Sequence, residues 1–124
     1  MNLKESVVLI TGAGSGIGAS LADYFGQKGA MLFLADRDPE AVLKTAEILE
    51  EKEITDFETF CGDVADEKES LEMVKAALRK FSKINIAIPC AGLIRDGLAI
   101  SMDKETKRVN KKLSLEDWNS VLNV

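Results

Sequence analysis

Residues 6–18, SVVLITGAGSGIG, run straight from an apolar stretch into four closely spaced glycines. Val7, Val8, Leu9 and Ile10 read as a short buried strand. From Gly16 onward the apolar positions Ile17, Leu21, Tyr24 and Phe25 fall at helical spacing, and Lys28-Gly29 supplies a basic last turn and a glycine stop. A second apolar run, MLFLA at 31–35, ends at Asp36. A strand, a glycine turn, a helix and a strand ending in an acid form a βαβ unit. In that setting the glycines let the backbone approach a pyrophosphate, and the helix start offers it unpaired N–H groups and a positive dipole end. Asp36, 18 residues after Gly18, is placed to accept hydrogen bonds from an adenosine ribose. A Walker-type phosphate loop is excluded, because no Gly-Lys-Ser/Thr follows the glycines.

The alternation of strand and helix continues outward from this unit. Asp38-Pro39 reads as an N-cap with proline in the first turn, and Val42, Ala46 and Leu49 mark the inner stripe of the helix that follows. FETFC at 57–61 is a third strand, stopped by Gly62-Asp63. Asp66 and Glu69 have capping-box spacing, and Leu71, Val74, Leu78 and Phe81 are the expected buried positions of the third helix. INIAI at 84–88, closed by Pro89, is a fourth strand. Residues 103–112, DKETKRVNKK, read as a long polar loop, and Ser114 caps a last helix with Leu115, Trp118, Val121 and Leu122 as its apolar positions. The expected class is α/β, with parallel strands joined by right-handed crossovers.

Composition narrows the chemistry. The chain has 124 residues, enough for one domain and one core. Sixteen basic residues stand against 21 acidic ones, a net charge of −5, which argues against nucleic acid as a partner. No apolar run reaches the length of a membrane helix, and MNLKES has no signal-peptide pattern, so a cytoplasmic protein is expected. Histidine is absent, which removes Ser-His and Cys-His nucleophile pairs and His-ligated metals, and no metal site is expected. Cys61 and Cys90 end strands three and four; both are expected to be small buried hydrophobes that form no disulfide. Residues 103–112 hold five basic and two acidic residues, so a +3 segment lies within an acidic chain; the plain expectation is a solvated loop, with attraction of an acidic partner as the alternative.

Thr11-Gly12-Ala13-Gly14-Ser15-Gly16-Ile17-Gly18 is spelled TGxxxGxG, Gly62-Asp63-Val64 follows strand three, Ala91-Gly92 follows strand four, and Trp118 precedes Asn123. Together these resemble the short-chain dehydrogenase/reductase family along the whole chain. The resemblance implies a Rossmann-type doubly wound parallel sheet, here partial: strands in the order 3-2-1-4, with later strands missing. It implies an N-terminal part of a single NAD(P)-binding domain over residues 1–124. Cofactor contacts would come from Gly12, Gly14, Ser15, Gly16, Ile17, Gly18, Asp36, Arg37, Asp63, Val64, Cys90, Ala91 and Gly92, with Asp63 and the backbone after it bordering the adenine. Asp36 favours NAD over NADP, since a carboxylate repels a 2′-phosphate, although Arg37 beside it would attract one.

The implied activity is hydride transfer between a nicotinamide and a carbonyl or secondary alcohol. The stretch GLIRDGLAISM at 92–102 resembles 3-oxoacyl-carrier-protein reductases, which adds a carrier-protein-bound acyl thioester as a possible substrate. A full-length protein of this kind would be a homo-oligomer. Of the family's catalytic tetrad only the Asn is matched, at Asn123. The Ser and the Tyr-x-x-x-Lys belong to elements absent from the chain, so residues 1–124 alone are expected to be inactive, as part of a longer enzyme or as a dinucleotide-binding fragment or relic with a binding or structural role. Tyr24 and Lys28 mimic Tyr-x-x-x-Lys, but they lie on the first helix, where Tyr24 is expected on the packing face. Pro89 and Cys90 stand where the family has two asparagines.

Overall fold

The computed structural model describes residues 2–93 and 100–124. By contact the chain divides into two compact units, Met1–Ala91 and Gly92–Val124. In the first, a 3-10 turn precedes β1 (Val7–Thr11), α1 (Gly16–Gln27), β2 (Met31–Asp36), α2 (Pro39–Glu51), β3 (Phe57–Cys61), α3 (Glu67–Phe81) and β4 (Ile86–Pro89). The four strands are all parallel, in the order β3-β2-β1-β4. This is the expected doubly wound arrangement. β1 and β2 are central, and their residues from Val7 to Ile10 and from Leu32 to Ala35 are buried, because crossover helices cover a parallel sheet on both faces. Val8, Ile10, Leu32 and Leu34 pack with Ala22, Val42 and Leu49 on one face; Leu9 and Phe33 pack with Met73 and Ala77 on the other. Pro89, which has no N–H to give, closes the edge strand β4 opposite Thr11.

Two helices are rotated from their expected phase. In α1 the buried residues are Gly18, Ala22 and Gly26, with Leu21 and Phe25 partly buried; Ile17 and Tyr24 are exposed. Small residues let this helix lie close to the sheet: a Cβ on Gly26 would come within 2.8 Å of Ile54. In α3 the buried residues are Met73 and Ala77, whereas Leu71, Val74 and Leu78 are exposed. Met73 and Ala77 form the face turned to the sheet, and only Phe81 of the expected set is partly buried there.

Cys61 is exposed, contrary to expectation, with Sγ 3.6 Å from the Arg37 carbonyl at the strand's end; Cys90 is half-buried against the core. Both thiols are free, at opposite edges of the sheet.

The second unit corrects the polar-loop reading of 103–112. β5 (Ile100–Met102) and β6 (Val109–Lys112) form an antiparallel hairpin with a register shift after Ser101. Its charged sequence hides the pairing. Asp103 closes the turn: its Oδ1 accepts from the N–H groups of Glu105 (3.0 Å) and Thr106 (2.6 Å) and from the Thr106 hydroxyl (2.9 Å). The Thr106 N–H above all holds the Asp103 carboxyl below its ordinary value of 3.8. A lowered folded-state value means these bonds contribute fully above 3.8 and are lost as pH falls through the depressed value. The Thr106 amide resonance is therefore expected to titrate with a midpoint under 3.8. A midpoint at or above that value would mean the carboxylate does not hold the turn. α4 (Leu115–Leu122) follows, capped by Ser114 Oγ, which accepts from the Asp117 N–H at 3.0 Å. Leu115, Trp118, Val121 and Leu122, the apolar positions of this helix, are all exposed. Residues 94–99, which carry most of the GLIRDGLAISM resemblance, lie outside the described residues.

Candidate nucleotide site

The parallel register brings four strand ends to one edge of the sheet: Thr11 lies beside Ala35 on one side and Pro89 on the other, and Asp36 lies beside Cys61. The order in which strands are added to the sheet reverses between β1 and β4, the place where open α/β sheets form their ligand crevice. The glycine loop crosses this edge. Gly12 has φ +66°, and a Cβ on it would come within 2.6 Å of the Ala91 nitrogen, so only glycine lets β1 leave the sheet past Cys90-Ala91. A Cβ on Gly18 would collide with the Gly12 carbonyl oxygen, so that glycine is needed for packing α1 on the loop. Gly16 differs from both: its φ is +54°, and a Cβ there would meet nothing within 4 Å. Its missing side chain leaves open space in front of the helix.

That helix start is also left unfilled by the protein. Asp38, Asp66 and Ser114 each cap their helices with a side-chain oxygen, and those first turns carry Glu40, Glu67 and Glu69, or Glu116 and Asp117. Ser15 makes no side-chain cap bond to α1, and the first turn of α1 has no acid. Its early N–H groups and positive dipole end face the space beside Gly16. The residues present thus fit a pyrophosphate: a glycine-rich cradle, a helix end without a side-chain cap and open space at Gly16.

The loop is held from behind. Ala13 N–H donates to the Ala35 carbonyl at 3.1 Å, and the buried Thr45 hydroxyl of α2 donates to the Ala13 carbonyl at 3.0 Å. Asp36 has a structural task that its sequence position did not reveal: Oδ2 accepts from the Gly14 N–H (2.8 Å) and Oδ1 from the Asp38 N–H (3.0 Å). The carboxylate therefore joins the glycine loop to the start of α2. Arg37 is exposed next to it.

At the end of β3, the Gly62 N–H donates to the Asp36 carbonyl at 3.0 Å, which sets residues 62–64 alongside Asp36. Asp63 Oδ1 accepts from the Ala65 N–H at 2.9 Å. Asp66 caps α3 through the N–H groups of Lys68 and Glu69, but the Glu69 carboxylate does not return to Asp66 as a capping box would. Its Oε2 accepts from the Asp63 N–H at 2.6 Å. On the other flank, the Cys90 N–H donates to the Thr11 carbonyl at 3.1 Å and the Ala91 N–H to the Thr11 hydroxyl at 3.5 Å. Backbone N–H groups and Thr11 thus make the β1–β4 junction where asparagines were expected from the resemblance. Gly92, which belongs to the second unit, is exposed with open space at its Cβ position.

Gly12, Gly14, Ser15, Gly16, Ile17, Gly18, Asp36, Arg37, Asp63, Val64, Cys90 and Ala91 therefore all lie in the first unit, at or next to the C-terminal strand ends. Asn123 is the C-cap of α4 in the second unit, its N–H donating to the Asn119 carbonyl at 3.0 Å. Tyr24 is exposed on α1, edge-on to Phe25 with centroids 5.3 Å apart, and Lys28 Nζ sits 5.7 Å over its ring. Its expected place on the packing face is corrected, while its place away from the glycine loop stands. Sequence reasoning missed Thr45, which acts across 32 residues, and Ser70, and it gave Glu69 the wrong partner, Asp66 in place of Asp63. Among the described residues no group of three His, Cys, Asp or Glu side chains could hold a metal ion, and no helix is long and apolar enough to cross a membrane.

A parallel 3-2-1-4 sheet, a glycine loop leading into an uncapped helix and an acid ending the second strand define a Rossmann-type nucleotide fold. The profile of the short chain dehydrogenase family matches residues 6–124, and the chain belongs to that family. It is 32% identical over 127 residues to a 3-oxoacyl-(acyl-carrier-protein) reductase of Thermotoga maritima, matching all of this chain and 46% of that protein. Among solved structures, a short chain dehydrogenase/reductase of Burkholderia phymatum in complex with NAD superposes with a TM-score of 0.81 at 28% identity, over 100% of this chain and 40% of the other. A 3-ketoacyl-(acyl-carrier-protein) reductase of Brucella melitensis complexed with NADH gives 0.76 at 30% identity, over 98% of this chain and 45% of the other. The chain spans about half the length of the curated relatives it matches.

Proposed function

We propose that this chain is the NAD-binding, N-terminal part of an oxidoreductase domain that moves hydride between a nicotinamide and a carbonyl or secondary alcohol. One observation carries the reading: among the described α-helices α1 alone lacks both a cap and a first-turn acid, and it lacks them behind a glycine loop whose Gly16 opens on empty space. The loop and α1 would hold the pyrophosphate, Asp36 the adenosine ribose, and Asp63 with the Val64 N–H the adenine edge. Cys90, Ala91 and Gly92 would border the crevice beyond β1. The bound nicotinamide would supply the hydride, and Asn123 would support the water that relays the proton. Membership of the family and relatives crystallised with NAD and NADH support this assignment.

A carrier-protein-bound 3-oxoacyl group is our reading of the substrate. It draws on the Thermotoga and Brucella relatives and on the +3 hairpin segment, which suits an acidic carrier. A cytoplasmic homo-oligomer completes the proposal. The second reading, a dinucleotide-binding chain without turnover, is favoured by Tyr24 being the single tyrosine and lying on α1.

Cofactor choice is the test. NAD(H) is expected to bind more tightly than NADP(H) in calorimetry, because a 2′-phosphate would meet the Asp36 carboxylate. Asp36→Ala removes that repulsion and also the Gly14 and Asp38 bonds, so absolute affinity falls for both nucleotides while their ratio moves toward NADP(H). Equal or tighter NADP(H) binding by the unmutated protein would overturn the role given to Asp36.

A further inference from the structure

Two neighbouring groups at the end of β3 are left without a partner by the described residues: Asp63 Oδ2, an acceptor, and the Val64 N–H, a donor. Side by side they complement the edge of adenine, whose 6-amino group donates and whose N1 accepts. Such a pair discriminates only if the peptide carrying it is fixed in orientation. Asp63 Oδ1 is already tied to the Ala65 N–H, which holds the carboxylate over its own turn. The peptide itself is fixed by α3. Glu69 Oε2 takes the Asp63 N–H at 2.6 Å, a short charge-assisted bond. The next residue, Ser70, donates its hydroxyl to the Val64 carbonyl at 3.1 Å. One turn of helix thus holds the residues on both sides of the Asp63–Val64 peptide.

We propose that Glu69, assisted by Ser70, is a positioning residue for adenine recognition: through the Asp63 N–H it orients the Asp63–Val64 peptide so that this edge selects an amino-bearing purine. The proposal rests on the nucleotide reading above. Glu69 is exposed and packs in no core, so its removal leaves the fold intact. Without it the Asp63 N–H turns to water, and the donor–acceptor pair loses its direction.

The experiment compares two probes on the full chain by calorimetry: NAD and nicotinamide hypoxanthine dinucleotide. Hypoxanthine reverses the pattern, with an acceptor at position 6 and a donor at N1, and is otherwise the same ligand. The unmutated protein should prefer NAD by about tenfold or more, the worth of one well-made hydrogen bond. In Glu69→Ala that preference should collapse toward unity, and Ser70→Ala should reduce it in part. Glu69→Gln keeps an acceptor oxygen and should restore most of it. A Glu69→Ala protein that binds both dinucleotides more weakly but keeps the same ratio between them overturns the proposal, since a merely structural role lowers both alike. Failure of Glu69→Gln to recover the ratio that Glu69→Ala loses overturns it too. If the unmutated protein binds neither dinucleotide, the nucleotide reading fails and this one with it, an outcome distinct from an unchanged ratio.

Discussion

Gly16→Val is expected to abolish dinucleotide binding while the far-UV circular dichroism stays close to that of the unmutated protein. The geometry separates the two effects. A Cβ at Gly16 meets no protein atom within 4 Å, so the substitution does not disturb packing; it fills the space in front of the α1 N-terminus that the pyrophosphate would use. At φ +54° a β-branched residue also strains the loop, by about 1–2 kcal/mol or more. A loss of at least about 100-fold in affinity, near 2.8 kcal/mol, is the expected scale. Gly18→Val is the contrasting control. Its side chain would strike the Gly12 carbonyl, so it should lower stability as well as binding. Binding retained in Gly16→Val would mean that the pyrophosphate is not held by this loop.

The other large effect concerns turnover. The 124-residue chain is expected to show no NADH oxidation above background with carbonyl substrates. Tyr24 is the single tyrosine and Lys28 follows it at the right interval, but their geometry is wrong for proton transfer. Tyr24 lies eight residues into α1, about 12 Å along the axis from the helix start. Lys28 Nζ sits over the face of the ring and not beside the phenol oxygen as a pKa-lowering partner would. A missing general acid costs about 10²–10⁴-fold, and the loss of a positioned substrate costs more. Tyr24→Phe should therefore leave every measured rate unchanged. Turnover that Tyr24→Phe removes would show that the chemistry sits on α1 after all.

The particular residues explain what was legible. Strand order and the glycine loop were readable because parallel strands buried on both faces are written as unbroken apolar runs, and because TGxxxGxG has to be local to work. The phases of α1 and α3 were misread, since reading the large apolar residues as the buried ones picks out Tyr24 and Leu71 and overlooks Gly18, Ala22 and Ala77. Those small residues lie at the centre of the buried faces, with Met73, Leu21 and Phe25 beside them. The hairpin at Ile100–Lys112 escaped because five cations mask its period of two. At the site, the place of Asp36 at the end of β2 was readable from the apolar run before it. Its grip on the Gly14 N–H was not, and neither were the bonds from Thr45 and Glu69. The first two contacts close only when separate stretches of chain meet, and the Glu69 bond departs from the capping-box partner that its spacing from Asp66 predicts.

The closely seated α1 also has a bearing on folding order. Gly18 and Gly26 each cost the helix about 1 kcal/mol relative to alanine, so the segment Gly16–Gln27 has little helicity of its own. It becomes a helix by docking on β1 and β2 through Gly18, Ala22 and Gly26. The anion-accepting end thus does not exist in the unfolded chain; it comes into being with the sheet. A dinucleotide that binds this end binds only the folded form, and at 100 times its dissociation constant it would add about 2.7 kcal/mol to the folding free energy. Dinucleotide should therefore raise the melting temperature of the chain as its concentration rises.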